Sequence, residues 1–275
     1  MMGKETIGED KALTWEQFEE KAKADIEEVK SKRAKAKNKA VHSAWIYRGH
    51  SCACWQLETS LERFLRDELG QEKDTYPAKL YYVYLSSIVP VINSLTDQKF
   101  EKFKPQEVHL MRSGPMPHCE LLYFARHHGF PTPILDWTAS YYVAAFFAFR
   151  HSKRGEDVAI YAYKEWNERA RGGRVDNPII NQQGSYVETH ARHYKQQSIY
   201  TICSAKIDDK IFFMKHEVAV EQSPENHSIK KFILRAGEKE KVLENLFSMN
   251  INDYTLFGDD ESLMRMLAYK EFRDI

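Results

Sequence analysis

Apolar positions recur along this chain with two different periods, and the elements follow from where each period holds. Phe18, Ala22, Ile26 and Val29 fall at helical spacing. The TWEQ segment ahead of them places Gln17 three residues after Thr14, a capping box, so a helix is predicted over 14–31. Ala44 to Tyr47 is a short apolar run that reads as a buried strand stopped at Gly49. Leu57 to Leu61 leads into a helix with Thr59 or Ser60 as cap. Residues 78–95 read as an apolar helix bent at Pro90.

Residues 102–117, with Gly114, Pro115 and Pro117, read as a loop. Glu120 to His128 is a helix that Gly129 terminates. The two prolines of FPTPILDWT exclude helix there, so that segment is extended. Ala139 to Phe149 is apolar on every side, as a helix inside a protein is. Strands are predicted at Val158–Tyr163, Ser198–Cys203, Ile211–Val220 and Ile229–Leu234, with 167–185 as a long connection and EQSPENH as a turn. Glu238 to Met249 and a segment capped by Asp260 are closing helices. Strands and helices do not alternate regularly, which predicts an α+β domain. Its mixed or antiparallel sheet surrounds a buried central helix. Residues 1–13 are flexible, the core lies at 42–235, and 236–275 is helical.

Composition narrows the classes. The 275 residues carry 40 basic and 40 acidic side chains, so net charge points to neither nucleic acid nor an anionic membrane as partner. The basic run KSKRAKAKNKA suits a solvated helix end, where cations favour the dipole. The longest apolar stretch, Leu80 to Ile92, is broken by Ser86, Ser87 and Pro90, short of the roughly 20 residues of a membrane span. The N-terminus lacks the apolar segment of a signal peptide. Four cysteines (Cys52, Cys54, Cys119 and Cys203) read as free thiols of a cytoplasmic protein. His50, Cys52, Cys54, His118 and Cys119 are metal-capable, but CxC spacing alone is a weak zinc signature and no metal is expected. GxGxxG, P-loop and GxSxG motifs are absent.

Two segments carry candidate chemistry. In Tyr47-Arg48-Gly49-His50 an arginine follows a buried strand at the sheet rim. Its guanidinium can clamp a phosphate, or it can pair with an internal carboxylate. The glycine permits close approach to the backbone. In His127-His128-Gly129 through Asp136-Trp137-Thr138 the chain enters the buried helix, whose start would favour an anion. Asp136 and Thr138 are equally candidates for capping that helix.

These segments resemble the FRG domain, named after a Phe-Arg-Gly motif that stands here as Tyr47-Arg48-Gly49-His50. Trp55, Leu57, Ser60, Leu61 and Arg63 match the Trp, Leu and Ser-Leu…Arg positions that come next in that family's pattern. RHHGFPTPILDWT and the helix with Ala144 or Ala145, Phe147 and Ala148 resemble its central block. Arg192, Gln196, Gln197 and Tyr200 echo a later one, and the C-terminal segment resembles its closing strand and helices, so the likeness covers roughly residues 14–270. The chain departs from the pattern at Arg126, Pro133, Ser198 and Gly258.

More distantly, the order of parts resembles ADP-ribosyltransferases. That resemblance implies NAD as substrate, with Arg48 on its pyrophosphate and Thr138 on the ribose or positioning a glutamate. Tyr47, Trp137 or Tyr142 would stack on nicotinamide. Glu217 or Glu221, on one face of a late strand, would stabilise the ribosyl cation, with Glu188 a further option. Gly49, His50, His127, His128, Asp136, Arg192, Gln196 and Gln197 complete the expected nucleotide site. The macromolecular acceptor or protein partner is left open. The alternatives are a non-catalytic binding module of a bacterial defence or signalling system, and a hydrolase pairing His127 or His128 with Asp136.

Overall fold

The computed structural model describes residues 12–36, 43–108, 115–165, 177–183, 191–222 and 228–273. The expected frayed N-terminus, the end of the lysine run, Gly114, most of the 167–185 connection, Glu188 and most of the EQSPENH turn lie outside the described residues. Helix α1 (Trp15–Lys35) opens on its capping box. Thr14 Oγ1 accepts the Gln17 N–H at 3.3 Å and Gln17 Oε1 accepts the Thr14 N–H at 3.0 Å. Strand β1 (Ile46–His50) precedes α2 (Ser60–Asp67), which Thr59 caps. After β2 (Thr75–Pro77), helix α3 (Ala78–Leu95) buries Ala78, Tyr81, Tyr82, Leu85 and Val89 along one stripe and holds Pro90 within it. Helix α4 (Cys119–His127) ends before Gly129, whose φ of +85° is the left-handed conformation expected after a helix.

Strand β3 (Ile134–Thr138) and helix α5 (Tyr141–Arg150) come next, then β4 (Val158–Lys164), β5 (Ile179–Gln183), α6 (Ala191–Lys195) and β6 (Ser198–Ile207). The chain continues through β7 (Lys210–Met214), α7 (His216–Gln222) and β8 (Ser228–Leu234) to α8 (Lys239–Ser248), α9 (Asp253–Phe257) and α10 (Asp260–Phe272). The strands form one curled antiparallel sheet in the order β2-β7-β6-β3-β1-β4-β8, and β5 adds to β6. This is the α+β class that the irregular element order predicts. Helix α5 packs on the β1 face that carries Tyr47, within a core shared with α1 and α8. A second core under α2, α3 and α4 includes Tyr200 and Ile202 of β6, and a third, on Ile46, Leu135 and Trp137, lies against the opposite face.

Several expectations are corrected. Gly49 does not stop β1 but pairs with Ile160 inside the ladder. A Cβ there would overlap the Ala144 carbonyl oxygen and stand 2.6 Å from the Ala148 nitrogen, so the glycine serves helix approach. Helix α5 is capped by Ser140, and Asp136 stays within β3. Asp259, one residue before the expected cap, opens α10.

The predicted strand 211–220 breaks at Lys215 into β7 and α7. His216 and Ala219 are the buried residues of that second half, a three-residue spacing that only a helix presents to one side. Within the expected connection 167–185, β5 pairs along β6 with its polar Asn181 and Gln183 buried, and Gln183 Oε1 accepts the Met116 N–H at 3.0 Å.

Cys52 and Cys54 form a disulfide across the turn after β1 instead of being free; Cys119 and Cys203 are free. The five metal-capable residues are not gathered, and no metal-holding group of three or more His, Cys, Asp or Glu occurs among the described residues. No described helix is long and apolar enough to cross a membrane.

Candidate functional site

The two neighbours of β1 treat it differently. Against β4 it pairs over its whole length, from Ile46↔Tyr163 to His50↔Ala159. Against β3 it pairs only at Tyr47↔Thr138. The sheet therefore splits beyond that pair, and a cavity of about 390 Å3 opens at the split.

Alternation along β1 sends Tyr47 and Gly49 toward α5 and Arg48 toward the other face. The Arg48 guanidinium spans the split instead of a ladder bond. Its Nη1 donates to the Asp136 carbonyl oxygen at 2.6 Å and its Nε donates to His50 Nε2 at 2.9 Å. Burial lowers the Arg48 pKa to about 10, with Arg126 and Arg63 adding repulsion against the pull of Asp136, so it stays charged at neutral pH. Burial and the Arg48 charge push the His50 imidazole down to about 3, which keeps it neutral and able to accept from Arg48.

Asp136 lies two residues from the last paired position of β3. Its Oδ2 accepts from Arg126 Nε at 2.8 Å and stands 4.0 Å from Arg48 Nη1. Burial alone would raise this carboxyl, but the two guanidiniums, Arg126 foremost, override it and hold the group below the ordinary carboxylate range. The same pair raises Arg126. Asp136 Oδ1 is buried without a hydrogen-bond partner among the described residues.

The cleft's other walls come from later in the chain. Arg192 donates through Nε to the Phe257 carbonyl at 3.2 Å and pairs with Asp259, while Gln196 Nε2 reaches the Leu256 carbonyl at 3.2 Å. These bonds tie α6 to α9 and bring Phe257 beside Phe147 of α5, ring centroids 6.0 Å apart. His127 faces the cleft and its Nε2 meets the buried Tyr200 hydroxyl at 3.0 Å; His193 Nδ1 lies 3.2 Å from that same hydroxyl.

Of the expected residues, Arg48, Asp136, Thr138, His127, Arg192 and Gln196 thus share one cleft, together with Tyr47, Gly49 and Trp137. The roles of several change. Thr138 is 4% exposed and its Oγ1 accepts the Ser140 N–H, so it shapes the turn into α5. Trp137 donates to Thr201 Oγ1 at 2.7 Å, Tyr47 is buried against Tyr141, and Tyr142 bonds Glu19. None of these three is placed to stack on a ligand; Phe147 and Phe257 supply the cleft's accessible rings.

His128 caps α4 away from the cleft with its ring on Phe124, because helical spacing aligns His127, not His128, with Tyr123. His127 directs its Nε2 at Tyr200 and also acts on the charge of Asp136. Gln197 contributes its carbonyl to Ala139, and His50 faces a neighbouring cavity. The start of α5 does not line the cleft. Glu217 and Glu221 lie on helix α7, not a strand. Glu217 Oε1 accepts the Leu57 N–H at 3.1 Å, and neither glutamate reaches the cleft.

Sequence pattern does not mark Phe147 and Phe257 as ligand contacts, and it marks Arg126 only as a departure from a motif. A signal for Arg126 exists, since it falls one turn after Leu122 on the buried face of α4.

Comparison with known proteins brings in one family. Residues 43–157 match the family model described as FRG domain. No curated protein and no solved structure matches the chain. The matched span holds Arg48, Arg126, Asp136 and α5, whereas Arg192, Gln196 and the C-terminal helices fall outside it.

Proposed function

Taking as premise that the chain carries an FRG domain over residues 43–157, we propose that its cleft binds the phosphate portion of a nucleotide. The observation that carries this reading is the charge balance at the split. The Arg126 guanidinium bonds the Asp136 carboxylate, the Arg48 guanidinium bonds the Asp136 carbonyl and lies 4.0 Å from that carboxylate, and Arg192 adds a third cation along the wall. Asp259 pairs with Arg192, and Arg48 reaches Asp136 Oδ2 only at 4.0 Å, so the two guanidiniums at the split share one carboxylate. A planar fork held between a carbonyl and an imidazole is prearranged for phosphate oxygens. The volume suits a small molecule, and Phe147 and Phe257 offer flat apolar surface to a base.

The same balance weighs against ADP-ribosyl transfer from NAD. A ribosyl cation needs an unpaired carboxylate beneath it. Asp136 is paired with Arg126, and of the glutamates expected for the task Glu217 and Glu221 sit on α7, while Glu188 lies outside the described residues. The non-catalytic binding reading is therefore favoured.

Calorimetric titration with adenosine monophosphate tests it. Wild-type protein binds, and Arg48→Ala weakens binding by roughly 10- to 100-fold, the effect of one charge-assisted hydrogen-bonding group. Absence of wild-type binding, or equal affinity in the variant, overturns the proposal. Nicotinamide release from NAD that is lost in Arg48→Ala, with the ADP-ribosyl group found on an acceptor, would establish the transferase instead.

A further inference from the structure

Arg48 and Gly49 line two cavities. The second, of about 690 Å3, lies at the end of β1 and is bounded by His50, Trp55, Arg63 and Arg66. Its two remaining arginines differ. Arg66 is neutralised by Glu58 and Asp67. Arg63 donates from Nη1 to the Glu58 carbonyl at 2.8 Å and, among the described residues, has no ion-pair partner. It is also close enough to Arg48 and Arg126 to repel both, while Glu58, Asp136 and Glu62 pull on its charge without an ion pair to it among the described residues. At the rim, the Trp55 ring is 54% exposed, an unusual state for the largest apolar side chain, while an edge contact with His50 at 6.1 Å steadies it.

We propose that this second cavity is a further ligand subsite, and that the molecule taken by the domain has two ring systems joined through phosphates. One ring lies in the cleft at the sheet split, the phosphate bridge passes Arg48 and is gripped by Arg63, and the second ring stacks on Trp55. This rests on the nucleotide reading of the cleft and extends it. A single monophosphate in the first cavity leaves Arg63 without an anion and Trp55 in water. A bridged ligand supplies a counter-charge to the first and a flat partner to the second.

The test compares adenosine monophosphate with diadenosine diphosphate by calorimetry on the full chain. Wild-type protein binds the two-ring ligand at least tenfold more tightly. Trp55→Ala lowers affinity for diadenosine diphosphate by roughly tenfold, in line with loss of one base–aromatic stack, and leaves adenosine monophosphate within twofold. Arg63→Gln does the same through the phosphate bridge. Trp55 is exposed, so its variant keeps the wild-type melting temperature, which shows that the loss is local. Equal affinity of wild-type protein for both ligands, or a Trp55→Ala loss shared equally by both, overturns the second subsite while the cleft reading stands. Failure of both ligands to bind removes the two together.

Discussion

The two long edges of β1 make a controlled comparison, because the same five residues face a closed neighbour on one side and an open one on the other. Toward β4 every position is paired, and the residues opposite are buried. Toward β3 one pair closes the ladder, and the next backbone carbonyl, that of Asp136, is satisfied by a guanidinium. A buried carbonyl must find a donor. When the donor is a side chain and not a strand, the strands stand apart and a charged group occupies the gap. Arg48 is therefore both a structural substitute for a ladder bond and one of three arginines that line the cleft.

The most severe way to break this contrast is to disturb the closed side. Gly49→Ala forces a methyl group into the α5 backbone, which cannot rotate away as a side chain would. Its expected cost is about 3–5 kcal/mol of unfolding free energy, read from a denaturant titration. A near-wild-type midpoint would mean that α5 can lift from β1.

On the open side, pH supplies a gentler lever. His50 has a folded pKa of about 3 against an ordinary value of 6.5, so the folded state resists protonation. Its contribution is whole above pH 6.5 and is lost as pH falls toward 3, at up to about 1.4 kcal/mol per pH unit. His50→Gln keeps an acceptor for Arg48 without a titrating ring. Between pH 7 and 5 the wild type should lose on the order of 2 kcal/mol more than this variant. Equal losses would show that the folded state does not hold the His50 ring neutral beside Arg48.

The smallest effect is expected off the contrast altogether. Glu217→Gln replaces a charged acceptor for the Leu57 N–H by a neutral one, costing about 1 kcal/mol. Nucleotide affinity should stay within twofold. A stable variant with lost binding or lost nicotinamide release would bring α7 back into the site.

How far the site could be read from residues alone depended on whether neighbours in sequence were neighbours in space. Arg48, Gly49 and Asp136 stand in short motifs, and they do meet, although Arg48 and Gly49 lie inside β1 and not at its end. The capping boxes at Thr14 and Asp259 and the α3 stripe involve contacts within one or two turns, and they formed with at most a one-residue shift. HEVAVEQ satisfies both periods, and only the burial of His216 against Thr201, at 2.9 Å, selects the helix. Strand β5 is hidden because its buried residues are polar and are satisfied by long-range partners such as Met116. Phe257 reaches the cleft through bonds from Arg192 and Gln196 to a segment some 60 residues away.

The amino-acid order by itself determined the α+β class, most of the longer helices with the caps at Thr14 and Thr59, and the arginine and aspartate that define the cleft, because each depends on local spacing or on residue chemistry. Tertiary structure alone decided that β1 and β3 part after one pair, that Arg126 pairs with Asp136, and which histidine faces inward. Those outcomes depend on which buried carbonyls and charges find partners once distant segments pack, and nothing in a linear string specifies that pairing.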